Sequence, residues 1–372
     1  MGIKSPFSWA IFALFCPFVL LSQTPQDTIA PATEEEDYSQ YDNLGFADQG
    51  AKRYCSPKIF GLSPQRFVSV AWDMQLAHDA RFSALGAYDE GDKAPIIETG
   101  QVRTAGGLRL GANIPVVSRN SILWQMGANF ANTAYNIRDI QRFGFFDDKS
   151  IATALNERGL RTAGLNTTVF KPLGEHQFLL FQGSADLSGD YTFSDMQSLR
   201  YLRYSAAAIW GKRPHDRKQW GVGIARTYRV GEMNYIPVVL FNWTSVNRKW
   251  GSEVLFPARA HMRYTVNPRQ LLLAGYELEG QSYRLNTLSP NERSLEIRRG
   301  EMRARVEYQR HLFHFVWLSV QGGWRYNWSY NADYLEDGRE FFRGFTGNQK
   351  YAMLNELTNP LYFNVGIHLV SP

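Results

Sequence analysis

Residues 259–280 read RAHMRYTVNPRQLLLAGYELEG. Polar or charged side chains fall at Arg259, His261, Arg263 and Thr265, with Ala260, Met262, Tyr264 and Val266 between them. After Asn267-Pro268-Arg269 the pattern returns, setting Glu277 and Glu279 against Tyr276 and Leu278. Successive residues of a strand point to opposite faces, so period two means β-strand. Two strands joined by a tight turn thus carry ions on one face and apolar groups on the other.

The same alternation recurs from Arg66 to the end of the chain. Val68, Val70, Trp72 and Met74 alternate with Ser69, Ala71 and Asp73. Val102, Leu108, Leu110 and Ile114 alternate with Arg103, Arg109 and Asn113. Met302, Ala304, Val306 and Tyr308 alternate with Glu301, Arg303, Arg305 and Glu307, and Val320, Trp324 and Tyr326 with Gln321 and Arg325. The last run sets Phe363, Val365 and Ile367 against Asn364 and His368, and weaker strands fall near 161–171, 220–229, 235–244 and 250–256. The count is about fourteen, with a range of ten to sixteen set by the error of strand boundaries. Connections alternate too. Short turns are read at 117–120, 172–175, 247–249, 267–269 and 311–313, with a longer basic one at 211–219. Longer loops fall at 137–159, 189–198, 285–294 and 330–359, with short exceptions at 232–234 and 256–257.

Periodicity alone does not distinguish a soluble sandwich, whose apolar face is its core, from a membrane barrel, whose apolar face meets lipid. Three features favour the barrel. Segments such as Gly100–Pro115 and Glu296–Gln309 exceed the roughly 9–11 residues that cross a bilayer at a tilt. Trp72, Trp124, Trp210, Trp220, Trp250, Trp328, Tyr330 and Tyr362 cluster at strand ends, as interfacial girdles do. The polar face carries opposite charges on neighbouring strands, which suits a confined lumen where each ion needs a partner. The expected lumen-lining network comprises Arg103, Arg109, Glu253, Arg259, His261, Arg263, Glu277, Glu279, Glu301, Arg303, Arg305, Glu307 and Arg325, with Glu301 facing Arg325 across one pair. The fold expected is therefore all-β: a transmembrane antiparallel up-and-down barrel with short periplasmic turns and longer extracellular loops.

The bulk numbers agree. The chain has 372 residues, 14% aromatics and a net charge of +5 without a basic block, which sets nucleic acid aside. Lys4 followed by the apolar run Trp9–Leu21 and Ser22-Gln23-Thr24 reads as a signal peptide over residues 1–23. Residues 24–65 follow as a periplasmic linker, acidic at Glu34-Glu35-Glu36-Asp37, whose Ser56–Gln65 end could enter the lumen or cap its mouth. The barrel occupies 66–372. Cys16 and Cys55 have no metal-ligand spacing, and no cofactor is indicated.

Three passages carry a resemblance: YCSPK at 54–58 with GLSPQRFVSV at 61–70, WGVGIA at 220–225, and WGSEVLFPARA at 250–260. Together they resemble an uncharacterised family of Bacteroidota outer-membrane β-barrel proteins. A signal ending in Ser-Gln fits the same origin. The resemblance implies location and fold and brings no activity or site residues with it.

The first functional expectation is a porin-like or transporter-like channel for a small polar solute, with outer-membrane lipid as the surrounding partner. The alternative is a barrel that conducts nothing, its charges filling the lumen, with loops 137–159 and 330–359 folded over the mouth or presented to a partner. An enzyme is the weakest reading. His261, next to Arg259 and Arg263 and with Glu253 on the preceding strand, is the best-placed candidate, but Ser252 has the wrong parity to share that face and no nucleophile–base pair emerges.

Overall fold

The computed structural model describes residues 55–89, 91–143, 150–192, 202–228, 234–285, 295–334 and 350–370. Residues 1–54, which hold the expected signal peptide and most of the expected linker, lie outside the described residues. The strands are β1 (Arg66–Gln75), β2 (His78–Ser83), β3 (Ile96–Arg119), β4 (Ile122–Arg142), β5 (Leu160–Pro172), β6 (Gln177–Gly189), β7 (Arg203–His215) and β8 (Lys218–Thr227). They continue as β9 (Asn234–Thr244), β10 (Trp250–Phe256), β11 (Arg259–Asn267), β12 (Gln270–Leu285), β13 (Leu295–Phe313), β14 (Val316–Tyr334), β15 (Glu356–Leu357) and β16 (Leu361–Val370). A helix, α1 (Ile151–Arg158), stands between β4 and β5.

The sixteen segments form one antiparallel sheet in sequence order. β1 and β2 are halves of one strand, since both pair with β3. β15 and β16 are likewise one strand, pairing with β2 and β1. The first strand therefore meets the last, and the sheet closes as a barrel of fourteen. Closure removes the free edges that an open sheet would expose.

The outer surface is apolar around the circumference. Val70, Leu110, Met126, Leu165, Phe181, Ile224, Val239, Met262, Val306, Val320 and Val365 are all exposed. Each sits one residue from an inward-facing neighbour, as period two requires. Aromatic rows flank the belt: Trp324, Tyr326 and Trp328 stack at 5.8 and 6.5 Å, and Trp250 meets Tyr264 at 4.7 Å. Two residues expected in that girdle face inward instead. Tyr330 and Tyr362 are 1% and 0% exposed: Tyr362 has the parity opposite to Phe363, and the extra residue Trp328 in β14 turns Tyr330 inward although it shares Trp324's parity.

Several turns are tighter than the sequence suggests. Residues 211–219 hold a two-residue turn, because β7 runs to His215 and β8 starts at Lys218. β3 likewise runs to Arg119, two residues beyond the expected turn start at Val117. The expected facing of Glu301 and Arg325 is off by one pair. The register from the turn, irregular between His311 and Phe313, sets Arg303 opposite Arg325 and Glu301 opposite Asn327, and a bulge follows at Gly300/Glu301.

At the long-loop rim the barrel is pinched. Both faces of Leu295–Glu301 and of Asp186–Gly189 are buried. Arg284 pairs with Gly189, and Asp190 N–H donates to Arg284 O at 3.1 Å. Gln281 Nε2 donates to Ser188 Oγ at 2.7 Å, and Arg203 pairs with Glu296. β12–β13 thus cross the mouth to β6–β7 and split that end into two lobes.

The lobe walled by β2–β5 and β12–β15 is packed solid. Phe82, Val102, Ile137, Leu160, Leu285 and Ile297 enclose Ile151 and Leu155 of α1. Ser150 caps the helix, its Oγ accepting from Thr153 N–H at 3.1 Å, and Glu98 complements the same terminus by accepting from Ala152 N–H at 3.3 Å. Asn156 fastens α1 to β4 through Ile137 N–H and C=O, at 2.7 and 2.9 Å. Opening this lobe would expose many apolar side chains at about 1.5–3 kcal/mol each, so it serves as packing. The described part of loop 137–159 is therefore folded over the mouth. Phe145, Phe146, Asp147, Asp148 and residues 335–349 of loop 330–359 lie outside the described residues.

Candidate functional site: a charged wall, a polar cavity and a strap

Below the packed lobe, β1, β3, β12, β13, β14 and β16 turn a charged wall inward. Asp73 accepts from Arg109 at 3.1 Å and pairs with Arg325. Glu301 meets Arg299 at 2.5 Å and both Arg303 and Arg325 at 3.0 Å. Arg305 joins Glu277 at 3.0 Å and Glu307 at 3.4 Å, and Glu307 also holds Arg66. Tyr362 lays its ring against Arg303 and Arg325, with centroids 5.5 and 4.8 Å from the guanidinium carbons. Arg109 and Glu279, 2.6 Å apart, sit on β3 and β12, which are separated by four segments around the ring. That pair therefore reaches across the lumen. Six arginines (66, 109, 299, 303, 305, 325) meet five carboxylates (73, 277, 279, 301, 307), so the wall is nearly self-neutralised. Arg325 is fully buried and Arg303, Glu301 and Glu307 nearly so. These groups are matched to one another and leave few sites for an ion from outside.

Most of the expected network thus shares one surface, with exceptions. Arg103 faces away from the lumen. It is exposed and pairs with Asp139 at 3.4 Å, while Val102 is buried in the packed lobe. A register shift between Val102 and Thr104 reverses the parity that placed Arg103 beside Arg109. His261 is buried behind Arg259 and faces Glu253 in register. Arg263 and Glu253 belong to a separate cluster described below. Arg66, Asp73, Arg299 and Tyr362 were missing from the expected set. Asp73 was legible, since it alternates with Trp72 and Met74.

The other half of the waist holds a cavity of about 520 Å3. Its lining is largely uncharged: Asn113, Asn166, Thr168, Gln182, Ser184 and Ser205 on β3 and β5–β7, with Ile209, Val238 and Leu255 beside them. Arg259 and Glu277, paired in register, border the far side. Arg259 is exposed and makes no ion pair with any described residue. The wall is lowest here. β10 has seven residues, about 23 Å at roughly 3.3 Å per residue, and turns through Pro257 at the cavity rim.

The short-turn rim is crossed by residues 55–65. Cys55 N–H donates to Gly174 O at 2.8 Å and Phe60 N–H to Asp216 O at 2.7 Å, so the strap touches two turns. Ser63 donates to Glu253 Oε1 through N–H at 2.9 Å and Oγ at 2.8 Å. Glu253 is held in turn by Arg263, 3.2 Å away and 2% exposed. Gly251 makes room for that guanidinium, since a Cβ there would lie 2.1 Å from Arg263 Nη2. Gly61 takes φ +75 where the strap bends past Thr244. Cys55 and Ile59 are buried, Cys55 against Phe170 and Phe178. Burial pushes the Cys55 thiol up, against the opposing charge of Arg213. In a Cys16→Ser background, maleimide should label Cys55 slowly, and Glu253→Gln should speed labelling about tenfold by weakening a charge-assisted bond. Rapid labelling of the unaltered latch would show that the strap is not seated.

Among solved structures, the outer membrane protease OmpT from Escherichia coli aligns over 83% of this chain and 98% of its own, at 10% identity and a TM-score of 0.32. An outer membrane channel from Pseudomonas putida F1 aligns over 82% and 97%, at 12% identity and 0.32. The NanC porin aligns over 79% and 100%, at 9% identity and 0.29. No curated protein matches. The model of the domain of unknown function DUF6268 matches residues 113–370, more than half of the chain, from the cavity's Asn113 to the final strand, and the chain belongs to that family.

Proposed function

We propose that this protein sits in the outer membrane of a Bacteroidota cell and passes a small polar solute. The apolar belt supports the membrane setting, because only closed sheets and helices satisfy every backbone polar group in lipid. The observation that carries the channel reading is the 520 Å3 polar cavity at the waist, beside a wall whose charges are already matched. On this reading passage runs through the β6–β12 side, and the charged wall is scaffold. The short turns and the strap face the periplasm, so the strap is the element that must yield.

One observation favours a barrel that conducts nothing: the packed lobe and the strap each block part of the lumen. Planar-bilayer recording separates the two. The channel reading expects brief current steps in the unaltered chain and a several-fold higher open fraction in Glu253→Gln, whose latch is weakened by the loss of a charge-assisted bond. Silence in both, with protein shown to be folded by heat-modifiable migration, would support the closed barrel.

A further inference from the structure

The cavity wall has an order that single strands do not reveal. Asn113 pairs in register with Gly127, Gly127 with Asn166, Asn166 with Ser184, and Ser184 with Ser205. One row therefore runs across five neighbouring strands at about 4.8 Å per strand, with neutral polar side chains on four of them and Gly127 on β4. A second row lies beside it, Gln125 to Thr168 to Gln182. Gly127 is what lets the first row close up. A Cβ there would lie 2.3 Å from Asn113 Oδ1 and 2.5 Å from Asn166 Oδ1.

These groups are available. The side chains of Asn113, Asn166, Thr168, Gln182 and Ser184 make no hydrogen bond to any described residue, and all border the cavity. The charged wall is the opposite case, with its arginines and carboxylates bound to one another. Amides and hydroxyls each donate and accept, so the rows suit a partner that does both at closely repeated positions. An ion entering here would leave water mostly for neutral dipoles, since of the two lining arginines Arg226 donates to Tyr204 O and Arg259 already faces Glu277. Beside the rows, Ile209, Val238, Leu255 and Pro257 offer an apolar surface. The volume lies within the roughly 300–1,000 Å3 of small-molecule sites.

We infer that the solute is a neutral polyhydroxylated molecule of the sugar class, its hydroxyls meeting the Asn113–Ser205 row and its C–H face meeting the apolar side. This rests on the channel reading and narrows it. The test is swelling of liposomes carrying the full mature chain, in glucose, in sodium gluconate of nearly equal size, and in lysine hydrochloride. Glucose should enter severalfold faster than either ionic solute. Asn166→Leu with Gln182→Leu should slow glucose about tenfold, the loss of one to two net hydrogen bonds. Thr168→Val and Ser184→Ala, which barely change volume, should slow it about threefold in the same direction should the larger change prevent folding. Arg103→Gln, outside the lumen, should leave the rate unchanged. Equal entry of glucose and gluconate, or no response to either pair of variants, would overturn the sugar assignment and leave the channel standing. No entry of any solute into liposomes holding folded barrel would overturn the channel and this inference with it.

Discussion

Replacing Arg325 with methionine is expected to cost about 3–5 kcal/mol of folding stability, because it removes a fully buried partner from two buried carboxylates at once. Arg325 is fully buried, holds Asp73, and lies 3.0 Å from Glu301. Asp73 keeps Arg109 and Arg303, and Glu301 keeps Arg299 and Arg303, so the loss is local to a wall that stays otherwise connected. A water-filled lumen would screen the same charges, and an exposed pair is worth only about 0–1 kcal/mol. Urea unfolding followed by heat-modifiable migration distinguishes these magnitudes. A loss below about 1 kcal/mol would mean that water reaches the wall.

The second large effect lies on the outside. Val306 is 58% exposed, midway along β13, on the face opposite Arg305 and Glu307. Val306→Arg should cost about 2–4 kcal/mol in a bilayer, the penalty for a cation at the midplane of a barrel's lipid face. The same change on a surface bathed by water costs within about 0.5 kcal/mol. Refolding yield into vesicles and the urea midpoint of the folded fraction give the number. A neutral result would remove the belt's meaning.

The strand pattern was readable because the outer face is uniformly apolar, and this fixed the parity of Met262, Val306 and Val365. The inner face was harder to read. Leu271 and Leu273 turn inward to pack on Trp317 and Val370, so the run Leu271-Leu272-Leu273 is apolar on both faces and shows no alternation. Arg103 was misplaced because a bulge shifts the phase without leaving a mark in composition. Tyr330 and Tyr362 have the amphipathic chemistry of girdle residues, and only their packing against α1's lobe and the arginines places them inside. The pinch joining Arg284 to Gly189 couples segments far apart in the chain. The polar row depends on five registers at once, and periodicity within one strand carries no information about its neighbour's register. The site was therefore half legible. Its ions stood out as unusual on a strand, whereas Asn113, Asn166, Gln182 and Ser184 resemble any polar strand face until they are set side by side.

The central claim is that the exposed apolar belt meets hydrocarbon while the opposite face encloses the lumen. Nitroxides placed singly at Leu272, Val306, Val320 and Val365, and at Gln182 and Ser184, test it in vesicles. The first four should collide readily with oxygen and hardly with a water-soluble nickel chelate, whereas the last two should show the reverse preference. Outer positions as open to the nickel chelate as to oxygen would contradict the barrel's place in the membrane and the function built on it.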